Sequence, residues 1–205
     1  MITVIDYGMG NIGSILNMLK KLGHEAKSSS DVNEISQATK LILPGVGAFD
    51  NGMQQLKEKN LIDVLNKKVC EEKIPILGIC LGIQLFCNGS QEGKLAGLGW
   101  IDADVIRFRT ENTEEKIRIP HMGWNSVTEK KHSVLFEGMF EHPRFYFVHS
   151  YHLKLKNEND AWLKTHYGYD FVSAIEHENI FGCQFHPEKS HKYGMVIYKN
   201  FAEKI

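Results

Sequence analysis

Two hydrophobic periods take turns along the first ninety residues. Ile2, Val4 and Ile5 open the chain as an apolar run, which predicts a strand over 2–6. Ile12, Ile15, Leu16, Leu19 and Leu22 then recur at helical spacing, with Asn11 where an N-cap belongs and Gly23 where a helix stops. Leu41-Ile42-Leu43 predicts a buried strand, helical segments are predicted across 48–70, and 74–79 predicts another buried strand running into a further helix. Strands and helices that alternate in this way predict a mostly parallel central sheet flanked by helices.

The pattern changes after about residue 100. Short strands are predicted at 103–109, 116–119, 145–153, 161–166, 171–176 and 179–185, followed by a helix over roughly 191–203. The fold class is therefore α/β with an added antiparallel portion in the C-terminal half. No linker or repeat interrupts the chain, so 1–205 reads as a single domain. The polar run 110–116 reads as a solvated turn. Pro120 and Gly123 break any period around His121, Met122 and Trp124, which read as a loop with exposed apolar side chains.

Charge and composition narrow the class. A net charge of −1 with interspersed signs offers no basic stripe for nucleic acid. No apolar stretch approaches membrane-spanning length, and no basic-then-apolar leader precedes the first strand. The four cysteines at 70, 80, 87 and 183 form no Cys-x-x-Cys pair, which points to a cytoplasmic location where thiols stay reduced. His132, Glu141 and His142 lack metal-ligand spacing, so neither a metal nor another cofactor is expected.

Chemistry enters at Gly78-Ile79-Cys80-Leu81-Gly82, which has the Gly-x-nucleophile-x-Gly form of a strand-to-helix elbow. Small flanking residues let the chain double back and lift the thiol above the sheet edge. The first backbone N–H groups of the next helix, beginning with Leu81, then face whatever the sulfur attacks. A thiol nucleophile needs a base. His186 and Glu188 follow a buried-strand pattern that ends at Pro187, and residues two apart on an extended segment share a face. The carboxylate can bond one ring nitrogen and leave the other to take a proton from Cys80. A third segment, Pro44-Gly45-Val46-Gly47, places Val46 between two glycines, where a backbone N–H can turn toward an oxyanion.

Two other readings share parts of this pattern. Gly8-Met9-Gly10-Asn11-Ile12-Gly13 has the Gly-x-Gly-x-x-Gly form of a dinucleotide turn, with Asp31 about twenty residues on. That reading leaves the elbow and the His186/Glu188 pair without a role. A cysteine hydrolase of the DJ-1 type would share the elbow and the α/β fold, although such proteins usually lack the glutamate two residues after the histidine.

The motifs Asp6-Tyr7-Gly8-Met9-Gly10-Asn11, Pro44-Gly45-Val46-Gly47, Gly78-Ile79-Cys80-Leu81-Gly82, Pro120-His121-Met122-Gly123-Trp124-Asn125 and Phe185-His186-Pro187-Glu188-Lys189-Ser190 span nearly the whole chain. In that order they resemble the class I, triad-type glutamine amidotransferases, and among them the glutaminase subunits of imidazole glycerol phosphate synthase. The resemblance implies Cys80 as nucleophile, His186 as acid and base, Glu188 as its orienter, and the amides of Val46 and Leu81 as the oxyanion hole. It implies glutamine as substrate, held by Gly47, Gln84, His149, Ser150 and Tyr151. It further implies a heterodimer with a cyclase subunit of the HisF kind, docked on Asn11, Pro120, His121, Met122, Trp124 and Lys189, with ammonia passing to that partner. Ile12-Gly13-Ser14 departs from the leucine and basic residue that often follow Asn11 in histidine-pathway members. A paralogue feeding a sugar-amidating enzyme of surface-polysaccharide synthesis therefore stays open as the alternative.

Overall fold

The computed structural model describes residues 1–111 and 116–205. The elements in chain order are β1 (Ile2–Ile5), α1 (Ile12–Lys21), β2 (Ala26–Ser29), α2 (Val32–Ser36), β3 (Lys40–Gly45), α3 (Phe49–Glu58), α4 (Ile62–Asn66), β4 (Ile76–Cys80) and α5 (Leu81–Leu85). They continue as β5 (Gly89–Ser90), β6 (Ala103–Arg107), β7 (His121–Ser126), β8 (Thr128–Glu129), β9 (Arg144–His149), β10 (Tyr151–Leu155), β11 (Ala161–His166), β12 (Asp170–His177), β13 (Ile180–Cys183) and α6 (His191–Lys204).

The main sheet runs β2-β1-β3-β4-β13-β12-β10-β6-β5, with β11 bridging β12 and β8. From β2 to β13 neighbouring strands are parallel; from β13 to β6 they are antiparallel. The expected parallel sheet with an antiparallel extension is thus present. Every residue of β1 and β4 is buried, as a sheet covered on both faces requires. Ile15 and Leu19 of α1 pack with Ile197, Tyr198 and Phe201 of α6 on one face; Phe49, Leu56, Leu65, Leu81 and Leu85 fill the other.

The chain steps out from β1 to β2, then back across to β3 and β4. In open α/β sheets of this order, ligands bind in the crevice at the carboxyl ends of the strands. Here those ends are Ile5, Gly45, Cys80 and Cys183.

The helical segments predicted across 48–70 are α3 and α4, separated at Asn60 (φ +55) and followed by a π-helical turn at Lys67–Glu71. Several local expectations need correction. Residues 116–119 form no strand, and the expected loop at 121–125 is β7, paired antiparallel with β9. The single strand predicted over 145–153 is two strands in different sheets, β9 with β7 and β10 with β6, separated at Ser150. β2 and α2 were not foreseen because Lys27, Ser28 and Ser29 carry no apolar period. Asn11 precedes α1 but makes no side-chain cap. Of the polar run at 110–116, residues 112–115 lie outside the described residues.

Candidate active site

Cys80 closes β4 with φ +53 and ψ −107, a backbone conformation costly for any residue with a Cβ. The flanking glycines are fixed by close approach. A Cβ on Gly82 would lie 1.9 Å from the Leu43 carbonyl oxygen, and one on Gly78 would lie 2.5 Å from the Phe86 ring. The elbow is therefore held down by β3 on one side and by the end of α5 on the other. Cys80 is buried; its sulfur lies 3.9 Å from the Val148 carbonyl and 3.7 Å from Gln184 Nε2, with the His186 ring also beside it.

His186 is placed by backbone bonds. Its N–H donates to Tyr146 O (2.9 Å), and its carbonyl accepts from Ser190 Oγ (2.6 Å), which in turn accepts from Tyr146 N (3.0 Å). The tight turn Pro187–Lys189 swings Glu188 back so that its Oε1 accepts from His186 Nδ1 at 2.7 Å. Asn11 Nδ2 donates to the same oxygen at 2.8 Å. His186 Nε2 is buried without a hydrogen-bond partner. Burial opposes charge on this imidazole, but the Cys80 sulfur and the Glu188 carboxylate outweigh it and push the pKa up to about 10. For Glu188, burial works upward and is outweighed by the hydrogen bonds and charge of His186 and by Asn11, so the carboxyl sits below its usual range.

The turn after β3 lies beside the elbow. Tyr7 Oη donates to the Pro44 carbonyl at 2.7 Å and would be 2.6 Å from a Cβ on Gly45. Gly47 has φ +121, and Val46, 47% exposed, sits between the two glycines. Leu81 opens α5, where backbone N–H groups have no partner inside the helix.

Gln84 is buried one turn beyond Cys80, and its Nε2 donates to Tyr151 O (3.3 Å) and Gln184 Oε1 (2.9 Å). His149 turns its ring into a buried aromatic cluster with Phe108, Phe147 and Phe171. Its Nδ1 donates to Tyr151 O at 2.7 Å, which leaves Nε2 to accept from His121 Nδ1 at 3.0 Å. His121 Nε2 then accepts from Asn125 Nδ2 at 3.1 Å. Both rings are neutral in this chain: burial lowers the pKa of His121 to about 4 and that of His149 well below its usual value. His149 thus offers the site its backbone, with both ring nitrogens engaged elsewhere.

Met122 and Trp124 project from one side of β7, and His121 and Asn125 from the other. Trp124 is 43% exposed and stacks on His191, ring centroids 5.6 Å apart. Pro120 and Lys189 are exposed, and the Lys189 ammonium lies 5.7 Å from the Tyr146 ring centroid. His121 is buried, contrary to its expected place on a docking surface, because β7 turns it onto Phe147 and Tyr167. The glycine-rich turn after β1 is explained by packing: a Cβ on Gly10 would lie 2.8 Å from Pro44 Cβ. Asp31, the candidate ribose acid, instead caps α2 through Glu34 N at 2.9 Å.

Sequence reading passed over Gln184, which touches both Gln84 and the sulfur. The available signal was a fully buried amide between Cys183 and Phe185 in an otherwise apolar strand end.

A cysteine on a strained elbow with a buried histidine–glutamate pair at the same sheet edge is the arrangement that a cysteine-nucleophile enzyme on an α/β sheet requires. The chain belongs to the family described as glutamine amidotransferase class-I, whose model matches residues 3–205. It is 52% identical over 204 residues to imidazole glycerol phosphate synthase subunit HisH 2 of Methanococcus maripaludis, covering 100% of both chains. It is 51% identical over 205 residues to the HisH 2 of Pseudomonas aeruginosa, again covering 100% of both. With the HisH of Sulfurimonas denitrificans the identity is 46%, over 99% of this chain and 98% of the relative. Two solved structures share the fold. PurLQS from Thermotoga maritima gives a TM-score of 0.71 at 16% identity, covering 98% of this chain and 96% of its own. A further glutamine amidotransferase gives 0.71 at 19% identity, covering 96% and 98%.

Proposed function

We propose that the chain is one catalytic domain that hydrolyses glutamine to glutamate and hands the ammonia to a cyclase partner, as the glutaminase subunit of imidazole glycerol phosphate synthase in histidine biosynthesis. The single observation that carries the chemistry is the 2.7 Å bond between His186 Nδ1 and Glu188, which leaves a buried, unpartnered Nε2 at the Cys80 end of the ring.

In this reading the Cys80 thiolate attacks the γ-carboxamide carbon of glutamine, and the N–H groups of Leu81 and Val46 hold the resulting oxyanion. His186, whose protonated form the Cys80 sulfur and the Glu188 carboxylate favour, gives its proton to the departing nitrogen, and ammonia leaves. Water then attacks the γ-glutamyl thioester while His186 takes up its proton. Collapse of the second tetrahedral adduct expels the Cys80 thiolate and glutamate. Gly47, Gln84 and the backbone of His149, Ser150 and Tyr151 border the glutamine.

The partner docks over Pro120, Met122, Trp124 and Lys189, all exposed. The Val46 peptide, between two glycines, completes the oxyanion hole only when the partner is engaged, so that glutamine is not wasted. Buried free thiols at 80, 87 and 183 suit the cytoplasm.

A second acceptor has one observation in its favour. The two relatives above 50% identity both carry the number 2, whereas the unnumbered relative is less similar. A duplicated glutaminase could serve a sugar-amidating enzyme with the same triad. The test is glutamate production by the purified chain, mixed with its organism's cyclase subunit and that enzyme's nucleotide substrate. Strong stimulation that Cys80→Ala abolishes supports the histidine-pathway reading. A cyclase that is active on free ammonia yet gives no stimulation overturns it in favour of the second acceptor.

A further inference from the structure

Gln84 and Gln184 form a pair whose orientation is dictated from outside. The Tyr151 carbonyl can only accept hydrogen bonds, and His149 Nδ1 already donates to it at 2.7 Å. The end of Gln84 that meets this carbonyl at 3.3 Å must therefore be its nitrogen. That same nitrogen meets Gln184 at 2.9 Å, so Gln184 must turn its oxygen toward Gln84. The nitrogen of Gln184 is left facing Cys80 Sγ at 3.7 Å. Each step follows from donor and acceptor chemistry, without a free choice of amide rotamer.

Two consequences follow at the sulfur and at Gln84. Both N–H bonds of Gln84 are spent on Tyr151 and Gln184, so its Oε1 is the atom free to accept from a ligand. Val148 O, beside the sulfur, can only accept, so it serves a neutral thiol and opposes a thiolate. Beside the His186 ring, Gln184 Nε2 is a second donor facing the sulfur, and a hydrogen bond to an anion is stronger than one to a neutral group.

We propose that Gln184 is a catalytic residue of this site: it donates to the Cys80 sulfur in its anionic form and, through the other end of the same amide, sets Gln84 with its oxygen toward the substrate. The sulfur is anionic twice in the cycle, as attacking group and as the group expelled when the thioester is hydrolysed. The amide favours both states and exchanges no proton. Its place is rigid: Gln184 is fully buried, and its backbone N–H donates to Ser173 O at 2.9 Å. This rests on the proposed assignment of Cys80 as nucleophile.

Two variants separate the two ends of the amide. Gln184→Met keeps the volume and removes both polar ends. Gln184→Glu keeps an acceptor for Gln84 and removes the donor to sulfur. The readouts are the rate at which iodoacetamide alkylates Cys80 at pH 7, which needs neither glutamine nor partner, and kcat and KM for glutamine. Alkylation sites are located by mass spectrometry, and folding is checked by near-UV circular dichroism. Alkylation of Cys80 should slow about 10- to 100-fold in both variants, the effect of losing one hydrogen bond to a charged group. In Gln184→Met, kcat should fall by a similar factor and KM rise, because Gln84 loses its orientation. In Gln184→Glu, kcat should fall while KM stays near wild type. If Gln184→Met folds and its Cys80 is alkylated within threefold of the wild-type rate, the proposal is overturned. If the wild type itself releases no glutamate from glutamine, the proposed function fails instead, and the alkylation comparison still decides the role of Gln184.

Discussion

Asn11, at the start of α1, donates its side-chain amide to Glu188 at 2.8 Å, on the same carboxylate oxygen that holds His186. The residues are 177 positions apart in sequence. The glycine-rich turn after β1 thus reaches the His186–Glu188 pair from outside it and keeps Glu188 facing the imidazole.

Asn11→Leu should therefore impair turnover without unfolding the chain. Losing one hydrogen bond to a charged group corresponds to about 1.5–3 kcal/mol, or roughly 10- to 100-fold in kcat. Steady-state glutamine hydrolysis measures it. A variant with wild-type kcat would mean that the tight turn at Pro187 alone orients Glu188.

The elbow predicts a sharp stability effect. Gly82→Ala would press a methyl group against the Leu43 carbonyl, at a point where β3 and α5 are both fixed. Overpacking against backbone should cost about 3 kcal/mol. Equilibrium urea unfolding reads this directly, and a loss under about 0.5 kcal/mol would show that the elbow can widen freely.

Acid should destabilise the protein more steeply than its carboxylates alone require. His121 and His152, lowered by burial to about 4, and His149, lowered well below its usual value, all resist protonation in the folded chain. Unfolded histidines protonate near 6.5. As pH falls from 6.5 toward 4, the unfolded state binds protons that the folded state refuses, so stability is present above 6.5 and is lost on acidification. Each group adds a slope of at most about 1.4 kcal/mol per pH unit. Unfolding free energies measured at pH 7 and pH 5 test this, and a flat profile would contradict it.

Trp124→Ala should leave the fold intact and weaken the partner complex. The ring lies outside the core, stacked on His191, with Arg144 6.0 Å from its centroid. Exposed tryptophans of this kind act as interface anchors, with losses of about 2 kcal/mol or more on truncation. Titration calorimetry against the cyclase should show an affinity at least tenfold weaker; an unchanged Kd would remove Trp124 from the interface.

Much of this site was legible because each motif couples a backbone need to a chemical group. Gly78, Cys80 and Gly82 announce a strained turn and its thiol together, and Pro187 marks the strand end that lets Glu188 fold back on His186. β7 was hidden because Gly123 carries no side chain to extend the alternation of His121, Met122, Trp124 and Asn125. The break at Ser150 was hidden for the opposite reason: β9 and β10 are both strand-like, and no local signal says that they belong to different sheets. Gln184 looked like one more position of a buried strand. Its partners, Gln84 and Cys80, are a hundred or so positions away, and only the pairing of β13 with β4 brings them together.

The backbone at Cys80 is held where glycine alone would be at ease. Cys80→Gly would release backbone strain on the order of 1–3 kcal/mol, at the loss of the thiol. A fold built for durability alone would put glycine at this turn; a cysteine there sets the durability of the sheet edge against the presentation of a thiol.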